Sequence, residues 1–337
     1  MKKKSIKPKS HKKKTKLKPI QDAIISVIVP ICQSGEFLPL CLDNILSQTF
    51  HDFEVICIDD GSLDRSKNIL KKYQKKDSRI QVIAQKNASQ AMARNSGLEV
   101  SHGKYVLFLE PDDQIHPQLL EACCKYGDEY NADIINYEFQ KLPAGICSKS
   151  VKYDVDKVPF SKTNTPLKYI KKGKTPQINF MAWGRLYRRR ILDGVSFIEG
   201  SRCTEDLVHT MTVLSKHPKT ILLNEPLYFH TITQPSVSCR SYAVRTILDM
   251  HQSILMLHNI YQGRPKEHRL VERFVFSNLL KQQLEGIRRS PIENRPPLYQ
   301  AFTSELKDLK AKGCFHWYDH KLKNYLVYRK LMKKEVI

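Results

Sequence analysis

Short apolar runs alternate with amphipathic stretches along the first 140 residues of the chain. The run IISVIVP at residues 24–30 is β-branched and closes on a proline, which is typical of a buried parallel strand. Strands are predicted at 24–29, 53–58, 80–84, 105–109 and 133–139, and helices at 36–48, 64–76, 89–100 and 117–130. Strict alternation of strand and helix predicts βαβ units, that is, a mostly parallel sheet with helices on both faces.

The pattern changes in the second half of the chain. Residues 140–180 are rich in Pro, Gly, Lys and Thr, which predicts a linker or a mobile loop. An aromatic, arginine-rich segment follows at 180–192, then a predicted helix at 205–216 and a predicted strand at 220–230. From about residue 244 the pattern is helical, and it is interrupted by Gly263, Pro265, Pro291, Pro296 and Pro297.

Composition favours a folded chain. Hydrophobic residues make up 41% and charged residues 27% of the 337, which excludes a wholly disordered, collagen-like or disulfide-stapled protein. No apolar run approaches the roughly 20 residues that span a bilayer, and the N-terminus lacks the apolar middle of a secretory signal. The nine cysteines contain no CxxC pair, so we expect free thiols and a cytoplasmic location.

The net charge is +22, of which the ten lysines of the N-terminal residues 2–18, a segment without acids, supply ten, and the rest of the chain is also basic. Such a tail predicts a disordered segment with an anionic partner, either nucleic acid or a membrane surface. The alternative is that the tail only keeps the protein soluble. A second basic segment, residues 321–334, interleaves lysines with apolar side chains and could lie on the same anionic surface.

Acidic residues, scarce in this basic chain, form three clusters: IDDGS at 58–62, LEPDD at 109–113 and TED at 204–206. The first two each end a predicted strand, so they converge at one edge of a parallel sheet, where ligands bind. Carboxylates at this edge indicate a site for Mg²⁺ or Mn²⁺. These ions often bind through one or two carboxylates together with the phosphates of a substrate. Taken singly, each pair of acids could instead cap a helix or form a turn.

Five motifs occur in this order along the chain: VIVPICQ, ILSQTF, EVICIDDGSLD, AMARNSGL and YVLFLEPDD. Together they resemble the motifs of family 2 glycosyltransferases of the GT-A fold. Three later segments, AWGRLYRRRIL, TEDLVHT and PLYFH, resemble the family too. The resemblance implies an α/β, GT-A (Rossmann-like) sheet flanked by helices, with a helical C-terminal region. It implies metal-dependent, inverting transfer of a sugar, expected to come from a UDP-sugar, to a glycan or glycolipid hydroxyl in surface polysaccharide or lipooligosaccharide synthesis.

The resemblance also suggests a division of the chain and a place for it in the cell. Residues 1–22 would be the basic tail, 23–139 the nucleotide-sugar-binding half, 140–243 the acceptor-binding half with the catalytic base, and 244–337 a helical region. Because glycolipid acceptors lie at membranes, the basic segments would hold the protein on the inner face of the cytoplasmic membrane.

Five residues are implied to bind the nucleotide on the strength of the first, third and fourth motifs. Pro30, Ile31 and Cys32 would line the pocket for the base. Asp60 would accept a hydrogen bond from the base, and Arg94 would face the nucleotide side of the cleft. The sequence departs from the family at Cys32, where an aromatic residue is usual, so the wall of this pocket differs.

The LEPDD and TED motifs carry the chemistry that the resemblance implies. Asp112 would bind the Mn²⁺ or Mg²⁺ that bridges the diphosphate, while Glu110, with Pro111 beside it, would face the ribose and the metal. Asp206 would deprotonate the acceptor hydroxyl as general base. Glu110 stands where the family has aspartate, which is one methylene shorter.

Five further residues are weaker candidates. Asp59 and Asp113 flank the principal acids and could serve only to form turns, and Glu205 is the alternative base. Trp183, with the arginines that follow it, could form part of an acceptor platform. His230 could be a third metal ligand or a structural histidine.

Two other functions remain open at this stage. A basic nucleic-acid-binding protein would explain the charge but not the acidic strand ends. A catalytically inactive nucleotide-binding protein with the same fold would explain why Glu110 replaces aspartate.

Overall fold

A computed structural model of the chain describes residues 23–146, 154–169, 179–201, 203–232 and 243–314. In these residues the chain forms one nine-stranded sheet with helices packed on both of its faces. The basic tail and the basic segment 321–334 lie outside the described residues, so their predicted roles stay predictions.

The strands are β1 (Ile25–Ile31), β2 (Phe53–Asp60), β3 (Ile80–Gln85), β4 (Tyr105–Phe108), β5 (Gln114–Ile115), β6 (Ile134–Pro143), β7 (Phe160–Thr163), β8 (Arg185–Arg188) and β9 (Thr220–Ile232). The helices are α1 (Leu38–Leu46), α2 (Ser66–Lys76), α3 (Gln90–Val100), α4 (Leu119–Glu129), α5 (Glu205–Leu214), α6 (Val244–Tyr261), α7 (Pro265–Val271), α8 (Ser277–Arg289) and α9 (Arg295–Ala311). A π-helical stretch, Glu272–Phe276, joins α7 to α8.

The sheet has the order β3-β2-β1-β4-β8-β6-β9-β5, and β7 also pairs with β9. The first four strands in this order are parallel, as predicted. The pairs β4–β8, β6–β8, β5–β9 and β7–β9 are antiparallel, so the α/β class is confirmed but the sheet is mixed rather than mostly parallel. The difference arises because the predicted loop at 140–180 contains β7 and the arginine-rich segment contains β8.

The core lies in two layers, one on each face of the sheet. Val27 and Val29 of β1 pack with α1 and α4 on one face, while Ile28 packs with α3 and α5 on the other. Every residue of β1 is buried, as expected for a central parallel strand covered on both faces. The carboxyl end of β1 is therefore held by packing on both faces of the sheet.

Residues 244–311 are mostly helical, as predicted, and they pack on the face that carries α5. Tyr261 of α6 is fully buried and its hydroxyl donates to the carbonyl of Met211 in α5 at 2.7 Å. Pro265 and Pro296 lie in the first turns of α7 and α9, where a missing N–H costs nothing, so they begin helices. None of the helices in the described ranges has the length and apolar character needed to cross a membrane.

Helix α3 approaches the sheet closely at Gly97. A Cβ atom at this position would lie 2.4 Å from Cγ2 of Ile28, which is fully buried in β1. The absence of a side chain therefore sets how near α3 comes to the sheet.

We predict that Gly97→Ala lowers the free energy of unfolding by about 1–2 kcal/mol, because overpacking outweighs the ~1 kcal/mol that alanine gains in a helix. Urea unfolding measures this change. The control is Gly263→Ala, where nothing lies within 4 Å of the added Cβ atom and the change should stay within about 0.5 kcal/mol. Equal stability of Gly97→Ala and the unmodified protein would contradict the close packing.

Candidate active site

The carboxyl ends of β1, β2 and β4 meet at one edge of the sheet. Ile31 at the end of β1 is in register with Asp59 of β2. On the other side of β1, the N–H of Leu109 donates to the carbonyl of Ile28 at 3.0 Å. The IDDGS and LEPDD clusters thus flank the end of β1, as the sequence predicts.

Asp60 is buried at this edge and holds the loop that leads into α3. Its carboxylate accepts from Nε2 of Gln85 at 2.7 Å and from the backbone N–H groups of residues 88 and 89 at 2.9 and 3.2 Å. Asp59 accepts instead from the N–H of Ser62 at 2.9 Å, which closes the turn after β2. Asp59 is therefore a turn former, and Asp60 fixes the loop beside the predicted base pocket.

The loop after β1 forms the other wall of this pocket. Cys32 is exposed and its Sγ accepts from Nδ2 of Asn87 at 3.4 Å, whereas Pro30 and Ile31 are buried behind it. Oε1 of Gln33 accepts from the N–H of Asp64 at 3.2 Å, which ties this loop to the loop after β2. Of the three predicted pocket residues, Cys32 is the one whose side chain a ligand can touch.

Arg94 of α3 joins two of the acidic clusters. Its side chain is only 2% exposed; Nη2 donates to Oε1 of Glu110 at 2.6 Å and Nη1 to Oδ1 of Asp206 at 2.7 Å. Nε2 of Gln90, one helical turn earlier, donates to the second oxygen of Glu110. The sequence placed Arg94 at the nucleotide and Glu110 at the metal, whereas the structure also connects both to the predicted base.

The charges in this network follow from burial and from their neighbours. Burial raises the pKa of Glu110 to about 7, and the nearby positive charge of Arg94 opposes the increase. Burial lowers the pKa of Arg94, but Asp206 and Glu110 outweigh it and the net shift is upward, so the guanidinium stays charged. Burial also raises the pKa of Glu205, and the charge of Asp206 adds to the effect.

Asp206 lies in the first turn of α5, where a negative charge is favoured by the helix dipole. Its Oδ2 accepts from the backbone N–H of Ala182 at 3.1 Å, so both oxygens have a donor. The side chain remains 16% exposed, which leaves it open to a substrate hydroxyl. By contrast, Oε2 of the neighbouring Glu205 is buried without a hydrogen-bond partner among the described residues.

Asp113 is fully buried and ties the LEPDD turn to the end of β9. Its carboxylate accepts from the hydroxyl of Tyr228 at 2.6 Å, from the N–H of Thr231 at 2.8 Å and from Nδ1 of His230 at 3.1 Å. The hydrogen bond to Asp113 raises the pKa of His230. Because a carboxylate only accepts, Nδ1 carries the proton and Nε2 of the neutral ring is left as an acceptor or a metal ligand.

Trp183 is packed inside the protein. Its indole is 6% exposed and lies nearly parallel to the rings of Tyr228 and His230, with centroid distances of 4.4 and 5.6 Å. The ring therefore supports His230 and offers little surface to an acceptor. Among the arginines that follow, Arg188 donates to the carbonyls of Ala132 and Gly127, on the opposite edge of the sheet, whereas Arg185 is buried and donates to the carbonyl of Asn179.

Sequence reasoning missed three residues near the site: Gln90, Tyr228 and His209. His209 of α5 is fully buried, and neither ring nitrogen has a hydrogen-bond partner in the described part of the chain. Burial, followed by the charges of Arg94 and Arg185, lowers its pKa to about 3, so the ring is neutral. Its spacing of three residues from Asp206, which puts both on one helix face, was the available signal.

The residues that suit a divalent cation are few. Within the described ranges, no group of three or more acidic, histidine or cysteine side chains is arranged to hold a metal. Both oxygens of Glu110 accept from side chains of α3, and Asp112 and Nε2 of His230 are the other candidate ligands at this edge. One carboxylate and one imidazole fit a Mn²⁺ or Mg²⁺ ion whose other ligands are diphosphate oxygens.

The fold is that of a GT-A-type domain. The profile of Glycosyl transferase family 2 matches residues 26–195, half of the chain, and the chain therefore belongs to that family. It is 32% identical over 280 residues to "Glycosyltransferase GlyA" of Streptococcus pneumoniae, covering 81% of this chain and 39% of GlyA. The chain also spans less than two thirds of the length of two further relatives, which are 28% and 27% identical.

Solved structures show the same fold. TarS (residues 1–349) of S. aureus, in complex with UDP-GlcNAc, superposes with a TM-score of 0.60 at 19% identity, covering 88% of this chain and 93% of TarS. The mannosyltransferase PcManGT of Pyrobaculum calidifontis, in complex with GDP-Man and Mn²⁺, superposes with a TM-score of 0.55 at 13% identity, covering 93% and 84%. At these identities the likeness extends to the fold alone.

We predict that Asp113→Asn lowers the free energy of unfolding by about 1–3 kcal/mol, because three donors lose a charged acceptor. The cost should be larger at pH 5.5 than at pH 8. The bond to Asp113 raises the pKa of His230. The contribution of this bond to the free energy of unfolding is therefore complete below the ordinary histidine pKa of about 6.5, and it is lost as pH rises through the raised pKa. Urea unfolding at both pH values tests this, with the exposed Glu36→Gln as control; a cost that grows with pH would contradict the assignment.

Proposed function

We propose that this protein is an inverting glycosyltransferase that moves a sugar from a UDP-sugar to a hydroxyl of a glycan or glycolipid in surface polysaccharide or lipooligosaccharide synthesis. The observation that carries the proposal is the carboxylate of Asp206. It is held by Arg94 and by the N–H of Ala182 at the acidic edge of a GT-A-type sheet, and it is partly open to substrate.

The names of similar proteins support the chemistry. GlyA is called a glycosyltransferase, and TarS was solved with UDP-GlcNAc. We propose a hexose or an N-acetylhexosamine as the transferred sugar and UDP as the carrier, and the GDP-Man bound by PcManGT gives the alternative donor class to be tested beside it.

The transfer needs one proton acceptor and one leaving group. Asp206 takes the proton of the acceptor hydroxyl while that oxygen forms a bond to the anomeric carbon of the donor. The bond from the anomeric carbon to the diphosphate oxygen breaks on the opposite face, and UDP leaves with the electron pair. The anomeric configuration inverts, and the proton remains on Asp206 until it passes to water.

The opposite side of the cleft would hold the donor. Oδ2 of Asp60 retains one lone pair that can accept from the N–H of uracil, and Cys32 lies at the mouth of the same pocket. Asp112 and His230 would hold Mn²⁺ or Mg²⁺, which supplies a positive charge against the diphosphate.

The two alternative functions explain less of the structure. A nucleic-acid-binding protein would not need carboxylates clustered at the edge of its sheet. A catalytically inactive relative would not need a base fixed by two donors. Release of nucleotide from a panel of nucleotide sugars, in the presence of Mn²⁺, separates both from the proposal.

We predict that Asp206→Asn impairs turnover and that Asp112→Asn impairs the binding of UDP with Mn²⁺. Asp206→Asn should lower kcat by about 10²–10⁴-fold and leave UDP binding unchanged, because a base acts only in the transition state. Asp112→Asn should abolish the dependence of UDP binding on Mn²⁺. Calorimetry with UDP and Mn²⁺, together with turnover, tests the pair, and the exposed Glu36→Gln is the control.

Full turnover by a folded Asp206→Asn protein would exclude this residue as the base. Binding of UDP by Asp112→Asn that still depends on Mn²⁺ would exclude Asp112 as the principal metal ligand.

We also propose that the basic tail holds the enzyme on the anionic inner face of the cytoplasmic membrane, where a glycolipid acceptor would lie. The basis is charge: residues 2–18 contain ten lysines, and each lysine near such a surface contributes about 1 kcal/mol.

We predict that deleting residues 2–18 weakens sedimentation with phosphatidylglycerol vesicles and leaves turnover on a soluble acceptor intact. Vesicles of phosphatidylcholine alone are the control, since they should bind neither form. Equal sedimentation of both forms with the anionic vesicles would contradict the membrane role.

A further inference from the structure

We infer that Glu110 serves the base rather than the metal: through Arg94, it is a positioning residue that holds Asp206 in the orientation needed for proton transfer. The inference rests on the proposed function, because it concerns the base of that reaction. It separates Glu110 from Asp112, although the two acids lie in one motif.

The guanidinium of Arg94 is a rigid connector between the two carboxylates. Nη1 and Nη2 are fixed in one plane, and each donates to a different carboxylate, at 2.7 Å to Asp206 and 2.6 Å to Glu110. Any shift of Glu110 that turns this plane therefore moves the donor to Asp206 as well. At 2% exposure the side chain has almost no access to water that could replace a lost partner.

The guanidinium is also confined by an aromatic ring. Its central carbon lies 5.1 Å from the ring centroid of Phe197. The backbone of Phe197 is pinned to α3 by Asn95, which accepts from its N–H at 2.8 Å and donates to its carbonyl at 2.9 Å. One face of the Arg94 guanidinium lies against this ring, so the hydrogen bonds to the two carboxylates fix its remaining rotation.

Glu110 is committed to α3 through both of its oxygens. Oε1 accepts from Arg94 and Oε2 accepts from Nε2 of Gln90. An aspartate, the family's usual residue here, is one methylene shorter and would not reach these two donors from the same backbone position. The extra methylene of Glu110 therefore allows its carboxylate to reach Arg94.

Asp206 is oriented by two donors from separate elements. Arg94 fixes Oδ1, and the N–H of Ala182 fixes Oδ2 at 3.1 Å. Each carboxylate oxygen has two lone pairs, so a substrate hydroxyl can still be accepted. Without Glu110, the side chain of Arg94 could move. Asp206 would then lose one of the two donors that orient its carboxylate.

The two possible roles of Glu110 predict opposite rankings of two variants. For positioning, length matters: Glu110→Gln keeps an oxygen within reach of Arg94, while Glu110→Asp does not. For metal binding, charge matters. Glu110→Asp would then retain the higher kcat, and Glu110→Gln would raise the Kd for UDP with Mn²⁺.

We predict that Glu110→Asp lowers kcat by about 10–100-fold, the usual effect of losing a residue that orients a reacting group, and that Glu110→Gln lowers it less. The Kd for UDP with Mn²⁺ should stay within about twofold in both, by calorimetry. Arg94→Lys, which cannot bridge two carboxylates, should lower kcat like Glu110→Asp.

The matched control is Arg188→Gln. Arg188 is also largely buried, but it donates to backbone carbonyls at the opposite edge of the sheet. This variant should lower the melting temperature and keep kcat per folded molecule.

Three results would overturn the inference: a wild-type kcat for Glu110→Asp, a Kd for UDP with Mn²⁺ that rises by more than about twofold in either Glu110 variant, or an equal loss of kcat in Arg188→Gln. Each can occur while wild-type protein turns over and Asp206→Asn does not, and the proposed function then stands. If the wild-type protein releases no nucleotide, or Asp206→Asn retains turnover, the proposed function itself fails and the inference fails with it.

Discussion

The buried charge of Arg94 is the constraint on which the site depends. A guanidinium that is 2% exposed must be paired, since an isolated charge of this kind is very costly to bury. Its two partners come from the end of β4 and from the first turn of α5, so pairing the charge requires these elements to meet. The same requirement places the predicted base next to the strand ends that are proposed to face the donor.

The remaining acids at this edge are divided among distinct tasks. Asp59 closes a turn, and Asp60 holds the loop that leads into α3. Asp113 joins the LEPDD turn to β9 and orients His230. These three carboxylates act by fixing backbone and side chains, and Asp112 is the acid of the LEPDD motif that is proposed as the metal ligand.

How well the sequence predicted the structure depended on how local each signal was. The parallel strands β1 to β4 and the helices between them follow from apolar periodicity, and their bounds agree within about two residues. Strand β8 has four residues and is set by pairing with distant strands, so no periodic pattern marked it. The pairing of Arg94 with Asp206 spans 112 positions, and a sequence without an alignment carries no sign of it. The burial of Trp183 was missed because it depends on rings of β9.

The central claim is that Asp206 activates a hydroxyl for direct displacement of UDP. The most direct measurement is the anomeric configuration of the first product when the enzyme hydrolyses a UDP-α-sugar, with water in place of the acceptor, followed by proton NMR before the free sugar equilibrates. Direct displacement predicts that the β anomer is formed first. Initial formation of the α anomer would contradict the account, because a single displacement on the face opposite to UDP cannot retain the configuration.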